Sequence, residues 1–320
     1  LFIFDYLFKI SSLKNKKDIL AHGEQMEHTK VDIAMPVFNA EKYIKDAINS
    51  ILNQTYKNWQ LTIIDDGSAD RSLKIANEFT DPRIKVISDG RNRGLSYRLN
   101  ESVKLATGEF YARMDADDIM CPDRLDRQIA YMLENPDCDL VGSAAYIING
   151  ANQITGLRGG NPFIDIGFLS VLKHGGFMHP TVLGRTAWFK SNPYDTTAER
   201  CEDIELWLRT ADQSYFGQIS EPLLFYREEG DQSAKVEKTS AGYIKVLKKM
   251  LVVVKPEYRP FLRKQLLKSH TRIRVRRIAH ALGFENRIVA ARSTPLTQMQ
   301  RQTAENRLQH ALATTQAREL

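Results

Sequence analysis

Glu109-Phe-Tyr-Ala-Arg-Met-Asp-Ala-Asp-Asp118 is the stretch on which the fold turns. Its first six residues read as a buried strand, and three carboxylates, Asp115, Asp117 and Asp118, follow within four positions. Like charges crowd one another at a strand end, and each needs water, a donor or a cation to stay ionised. A hard divalent ion such as Mn²⁺ or Mg²⁺, shared with phosphate oxygens, satisfies such a cluster. A solvated acidic turn capping the helix that opens at Asp123 would account for the same residues. The surroundings decide between the two.

Upstream, strands and helices alternate. Val31 to Pro36, Trp59 to Ile64 and Arg83 to Ile87 read as strands. Helices are expected over Tyr43–Leu52, around Leu73–Phe79 and over Leu95–Ala106. This alternation predicts an α/β fold with a mainly parallel central sheet and right-handed crossovers. Ligands of such sheets sit beyond the carboxyl ends of the strands. Pro36–Glu41, Asp65–Ser68, Asn92–Gly94 and Asp115–Asp118 all leave strands on that edge, so their polar groups should converge. A solvated turn would need no such company.

Downstream the pattern loosens. Pro122–Glu134 reads as a helix, Asp139–Ile148 as a strand and Gly150–Phe163 as a loop. A helix is expected within Ile164–Leu172, a short strand over Met178–Leu183 and a helix over Glu199–Thr210. Tyr215–Ile219 and Leu223–Arg227 read as two closing strands. From Ala241 the spacing is helical; Phe261, Leu262, Leu266, Ile273 and Ile278 read as one apolar stripe. The last ~30 residues show no stripe and are expected to be loosely ordered. The domain reading is therefore an upstream extension or leader over 1–29, a sheet domain over 30–235 and a basic helical extension over 236–320. Within the sheet domain, the regular alternation over 30–120 separates that half from the looser 121–235.

Composition narrows the function classes. With 320 residues, 42% hydrophobic and 26% charged, the chain can bury a large core. Cys121, Cys138 and Cys201 are scattered and form no CxxC pair, which argues against a disulfide framework or a zinc site. The net charge of +6 hides an asymmetry: from Lys235 onward about nineteen Lys/Arg face about five Asp/Glu, leaving an acidic body with a basic tail. Such a tail suits an anionic membrane surface or an acidic partner, or packs as a helical extension on the body. No apolar run reaches the ~18–20 residues of a spanning helix. A cytoplasmic chain, peripheral on the inner face of the membrane, is the expectation.

Six motifs in order resemble the family 2 glycosyltransferases. They are Val31-Asp-Ile-Ala-Met-Pro-Val-Phe-Asn39, Ser50-Ile-Leu-Asn-Gln-Thr-Tyr56, Ile63-Ile-Asp-Asp-Gly-Ser68, Asn92-Arg-Gly-Leu95, Met114-Asp-Ala-Asp-Asp118 and Cys201-Glu-Asp-Ile-Glu-Leu-Trp-Leu-Arg209. The resemblance covers roughly Lys30 to Arg227. It implies a GT-A fold, a nucleotide-sugar donor, a divalent metal (Mn²⁺ or Mg²⁺) and an acceptor that is a glycan or lipid-linked. The donor-binding set it implies is Pro36, Val37, Phe38, Asn39, Glu41, Asp65, Asp66, Arg93, Asp115 and Ala116. Phe38 would stack on the base, Asp66 would accept from base or ribose, Asp65 would order its turn, and Arg93 would meet the phosphates or sugar. Asp117 and Asp115 would hold the metal. Asp203, with Glu202 second, would be the general base of an inverting transfer in cell-surface polysaccharide or glycolipid synthesis. His179 would contact the acceptor or the diphosphate.

Simpler accounts stand beside these. Asp65 and Asp66 could be a helix-capping pair, Glu202 and Asp203 could complement a helix dipole, and His179 could be a satisfied buried histidine. Two other classes share some features. A sugar nucleotidyltransferase needs a Gly-rich phosphate loop after the first strand, where this chain has Pro36-Val-Phe-Asn-Ala40. A non-catalytic glycan- or nucleic-acid-binding protein would not need Asp66, Asp115, Asp117 and Asp203 together, and nucleic acid is disfavoured as a partner. A nicotinamide dehydrogenase lacks its GxGxxG.

Overall fold

A computed structural model describes residues 26–160, 167–229, 232–281 and 293–313. Nine strands form one sheet: β1 (Val31–Val37), β2 (Trp59–Asp65), β3 (Ile84–Ser88), β4 (Phe110–Arg113), β5 (Ile119–Met120), β6 (Leu140–Ile148), β7 (Ile154–Arg158), β8 (Leu183–Arg185) and β9 (Phe216–Arg227). Their spatial order is β3-β2-β1-β4-β8-β6-β9-β5, with β7 on β6. Around it lie α1 (Ile44–Leu52), α2 (Ser72–Asn77), α3 (Leu95–Leu105), α4 (Arg124–Glu134), α5 (Phe168–His174), α6 (Thr186–Ser191) and α7 (Glu202–Thr210). The C-terminal part adds α8 (Gln232–Val253), α9 (Arg259–Ala281) and α10 (Gln298–Leu312).

β1 to β4 are parallel, as the alternation of strand and helix requires. The other half is mixed: β8 runs antiparallel to β4 and β6, β9 is parallel to β6, and β5 is antiparallel to β9. Side chains alternate across the sheet. Ile33, Met35, Phe110 and Ala112 face α1 and α4, while Ala34 and Tyr111 face the aromatic cluster of Phe189, Trp207 and α8. Arg113 therefore points to the Tyr111 side, among aromatic rings rather than water.

Register sets the height of the acidic loop. Val37 lies opposite Asp65, and Asp65 opposite Ser88, so three strands end level. β4 is offset: Arg113 pairs with Ala34, and the Met114 N–H continues the ladder to the Ala34 carbonyl at 2.9 Å. The same offset brings Asp115 level with Pro36 and Ala116 level with Val37. The acids thus begin beside the end of β1, under the loop that Phe38 opens.

Several expectations are corrected. The stretch expected as loop from Gly150 contains β7, which pairs with β6. Met178–Leu183 is a 3₁₀ turn at His179–Thr181 followed by β8, because Pro180 at the start of the turn removes a ladder donor. The two closing strands are one, β9, with register shifts against β6 around Ala144. The helix expected within Ile164–Leu172 is α5, beginning at Phe168; residues 161–166 lie outside the described residues, as do residues 1–25 of the expected leader.

The C-terminal correction is the largest. Gln298–Leu312 is a helix, opened by a capping box in which the Gln300 N–H donates to Thr297 Oγ1 and Gln300 returns a carbonyl to the Thr297 N–H. Its stripe is short, only Ala304, Leu308 and Ala311, and these pack on Ile119, Tyr146, Ile154 and Phe225. Asp123 does not cap α4 with its side chain; it pairs with Arg307 of this helix. Arg307 also donates to the Pro222 carbonyl and Arg301 to that of Ile154, and Asn53 donates to the Ala311 and Ala313 carbonyls. Leu308→Ala should lower stability by about 2 kcal/mol, through lost burial and the cavity left behind. Urea denaturation followed by circular dichroism reads it.

Candidate active site

A cleft of about 280 Å³ opens at the carboxyl edge of the sheet. Pro36, Phe38, Asn39, Ala40, Tyr43, Asp115, Ala116, Asp117, Arg227 and Glu229 line it. Five residues of the donor set and Asp117 meet here: Pro36, Phe38, Asn39, Asp115 and Ala116. Phe38 is 52% exposed and presents its ring to the cleft. Val37 is buried in the core beneath.

The rest of the donor set builds the walls. The Asn39 N–H donates to Ser68 Oγ, and its side-chain carbonyl accepts from the Ala69 N–H. Asn39 has φ 51°, a left-handed conformation that Asn tolerates better than most residues. The Glu41 carboxylate accepts from the Arg71 N–H. Asp65 accepts from the N–H groups of Gly67 and Ser68 and from Ser88 Oγ, the turn-ordering part expected of it. Gly67 has φ 74°, and a Cβ there would lie 2.8 Å from the Arg91 carbonyl carbon, so only glycine lets the two loops meet.

Asp66 is already engaged. Its carboxylate accepts from the N–H groups of Arg93 and Gly94 at 2.7 and 3.0 Å and from Arg98 Nε at 2.8 Å. Arg98 is fully buried and also reaches Asp89 and Glu101. Arg93 turns its own guanidinium to Asp89 at 2.7 Å and over the Tyr97 ring. The structure does not bring Asp66 or Arg93 to the lining of the cleft; they brace the loop beside it.

The acidic cluster fits a hard cation. Carboxylate oxygens of Asp115, Asp117 and Asp118 all lie within 4.8 Å of one another, the one such group found among the described residues. All-oxygen donors of this kind suit Mg²⁺ or Mn²⁺ rather than zinc or copper. Asp117 opens on the cleft, yet the surrounding protein and then Asp115 push its carboxyl up to about 6. Asp118 is buried and raised well above the ordinary range, by burial first and by Asp117 and Asp115 next. One Asp118 oxygen accepts from the Arg227 N–H at 2.8 Å, and the other has no partner. An orphaned buried carboxylate oxygen beside two more acids is what a missing positive charge leaves behind.

Arg227, Tyr43 and Glu229 form a linked group in the lining, and the sequence reading passed over all three. Arg227 Nε donates to the Asp117 carbonyl and Nη1 to that of Asn149, while the guanidinium lies 4.0 Å above the Tyr43 ring. Tyr43 and Lys42 both bond Glu229. Arg227 was legible only as the end of a strand and Tyr43 only as the start of a helix. Arg113 was missed as well, although a charged residue inside a buried strand is itself a signal.

Arg113 joins the two acidic groups. It is 3% exposed, and its Nη2 donates to Asp115 at 2.6 Å, while Nε and Nη1 have no partner. Burial works against its charge, but Asp115, Glu202 and Asp118 outweigh that and hold its pKa up. Glu202 and Asp203 open α7, where the Ile204 N–H donates to Asp203 Oδ1. Burial and then Asp203 push the Glu202 carboxyl up to about 7; burial also raises Asp203, against the pull of Arg113. Asp115 raises both, so the acid pair and the cleft share one electrostatic field.

His179 does not line the cleft. It is buried, its Nε2 lies 3.0 Å from Tyr194 Oη, and its ring meets Trp207 edge-on. Burial, then Arg113, holds its pKa well below the usual value, so it stays neutral.

Because Glu202 binds its proton more tightly folded than unfolded, it favours the folded state below pH 4.5, and this contribution is lost as pH rises through about 7. Glu202→Gln should therefore gain on the parent chain across that window, by up to about 3 kcal/mol at the upper end. Denaturation midpoints measured at successive pH values give the difference; a constant difference would contradict the buried, raised carboxyl.

Comparison with known proteins agrees with this architecture. The family model described as glycosyl transferase family 2 matches residues 32–191. The chain is 36% identical over 187 residues to WfgD of Escherichia coli, a UDP-Glc:α-D-GlcNAc-diphosphoundecaprenol β-1,3-glucosyltransferase; the match covers 57% of this chain and 70% of that one. In fold it is similar to S. aureus TarS 1–349, solved with UDP-GlcNAc, with a TM-score of 0.60, 20% identity, and 75% and 72% of the two chains covered. It is also similar to the mannosyltransferase PcManGT of Pyrobaculum calidifontis, solved with GDP-Man and Mn²⁺, with a TM-score of 0.57, 16% identity, and 88% and 86% covered. With the GT-A sheet, the acid-lined cleft at its carboxyl edge and the family match over half its length, this chain belongs to the family 2 glycosyltransferases and is a transferase that uses a nucleotide-sugar donor.

Proposed function

We propose that this chain transfers a sugar, with inversion, from a nucleoside-diphosphate sugar to a hydroxyl of a glycan or lipid-linked acceptor in cell-surface polysaccharide or glycolipid synthesis. The observation that carries this reading is the pairing of an acid-lined cleft, mouthed by an exposed aromatic ring, with a second raised acid pair coupled to it through Arg113. Phe38 stacks on the base at the mouth. Asp115 and Asp117 hold Mg²⁺ or Mn²⁺, with Asp118 behind them. When bound, that ion neutralises charge developing on the leaving diphosphate. Pro36, Val37, Asn39, Glu41, Asp65, Asp66, Arg93 and Ala116 shape the donor wall, most of them through the loop contacts described above.

Asp203 takes the proton. As the acceptor oxygen forms its bond to the anomeric carbon, the bond from that carbon to the diphosphate breaks. The nucleoside diphosphate leaves with the electron pair, and the acceptor proton moves to Asp203. A carboxylate whose pKa is raised by burial is a stronger base near neutral pH than an ordinary aspartate. Glu202 lies next to it, and the Asp203 charge helps hold the Glu202 proton. Arg113 keeps both groups of acids in register, and His179 with Tyr194 forms the floor on the acceptor side.

The acceptor named for WfgD is a lipid diphosphate, which supports a lipid-linked acceptor here. No helix among the described residues is long and apolar enough to cross a membrane. We take the chain to work at the cytoplasmic face of the membrane, held there from one side.

A panel of sugar nucleotides tested by calorimetry, with and without Mn²⁺, checks the donor and the ion. Asp117→Asn should abolish the cation-dependent part of donor binding. Asp203→Asn should lower kcat by about 10² to 10⁴-fold while donor affinity stays unchanged. If no sugar nucleotide binds, or Asp203→Asn turns over like the parent, the reading is wrong.

A further inference from the structure

α9 carries apolar residues on two opposite sides. Leu262, Leu266 and Ile273, at i, i+4 and i+11, turn inward, and the first two join the cluster that contains Trp207 and Met250. Leu267, Val275 and Ile278, at i, i+8 and i+11, turn outward and are 70%, 56% and 61% exposed. At 3.6 residues per turn these three fall within an arc of about 80° on the side away from Leu262. The single stripe read from the sequence therefore divides: Ile278 belongs to the outer side and Leu262 to the inner.

Basic side chains border the outer strip. Lys268 and Arg272 lie along one margin and Arg274 along the other, with Lys264 near its centre, all exposed. The 23-residue helix contains no Asp or Glu. None of these four cations forms an ion pair with the described residues. Three exposed apolar side chains set among basic ones, on a helix without an acidic group, make a face that an anionic bilayer surface can take up.

The occupant follows from that combination. A second copy packed through the same face would bring basic side chains against basic side chains. Nucleic acid would meet the cations but offers no apolar phase for Leu267, Val275 and Ile278. An anionic bilayer offers both, with lipid phosphates at the margins and the acyl boundary beneath the strip, while long basic side chains reach up to the headgroups.

We propose that α9 docks on an anionic lipid surface through its Leu267–Val275–Ile278 face, laying the hairpin of α8 and α9 flat on the bilayer. The inner stripe of the same helix fixes it to α8 and, through α8, to the α7 that carries Glu202 and Asp203. Lys249 of α8 reaches the buried Glu205 of α7 at 2.8 Å and adds a polar tie to that contact. The proposal deepens the functional reading by naming the surface that brings the cleft to a lipid-linked acceptor; the docking itself rests on the exposure and charge of α9.

Sedimentation of the full chain with vesicles tests it. Vesicles of phosphatidylcholine alone are compared with vesicles of phosphatidylcholine and phosphatidylglycerol in equal parts, at low and high salt. The parent should bind the anionic vesicles at least about tenfold more tightly, and high salt should weaken this. Leu267→Gln with Ile278→Gln, and separately Lys268→Glu with Arg274→Glu, should each lose about tenfold or more, with thermal melting curves like the parent's. Equal binding to neutral vesicles, binding unchanged in both variants, or preference for duplex nucleic acid or a second copy over vesicles would overturn the proposal. If vesicles bind as expected but no sugar nucleotide does, the functional reading fails and the docking face stands.

Discussion

Negative charge gathered at one edge of a sheet has to be compensated, and in this chain a single buried guanidinium does much of that work. Arg113 ends β4, donates to Asp115 and feels Glu202 and Asp118, while two of its donor nitrogens stay unpaired. Carboxylates from two segments far apart in the chain can coexist in a low-polarity site because this cation lies among them. It does not suffice. Asp117, Asp118, Glu202 and Asp203 all keep raised pKa values, because burial disfavours their charged forms more than one guanidinium offsets.

The sheet's register turns this electrostatic need into a site. β1, β2 and β3 end level, and the offset of β4 slides the acids beside Pro36 and beneath Phe38. Asp65 and Asp66 spend their oxygens on backbone N–H groups and on Arg98, which braces the loops that the cleft depends on. A wall braced in this way holds Phe38 and Asn39 in place facing Asp115 and Asp117 across the cleft.

Much of the first half was legible. Val31–Val37, Trp59–Asp65 and Ile84–Ser88 fall within a residue or two of the strands read from periodicity, because each is an apolar run closed by a turn or a proline. Asp115 and Asp117 could be picked out as acids that follow a buried strand. The second half was less legible. β7 is a short strand interrupted by Gly156, paired to β6 and bridged at Leu157 to Thr294, and α10 buries only three small or aliphatic side chains, so neither carries a strong period. α9 misled for the opposite reason. Its two apolar sides overlap in sequence, and spacing alone merges them.

The sequence by itself determined the alternation of strand and helix, the acids at the strand ends and the basic character of the C-terminal helices, since each is a local property of residue type and spacing. Only the tertiary structure decided which acids share a field, that Asp66 and Arg93 brace a loop, that Arg227, Tyr43 and Glu229 wall the cleft, and which side of α9 stays bare. Those outcomes depend on register, burial and the pairing of residues far apart in the chain, such as Asp118 with Arg227 and Asp123 with Arg307. Local spacing carries no record of distances of that kind.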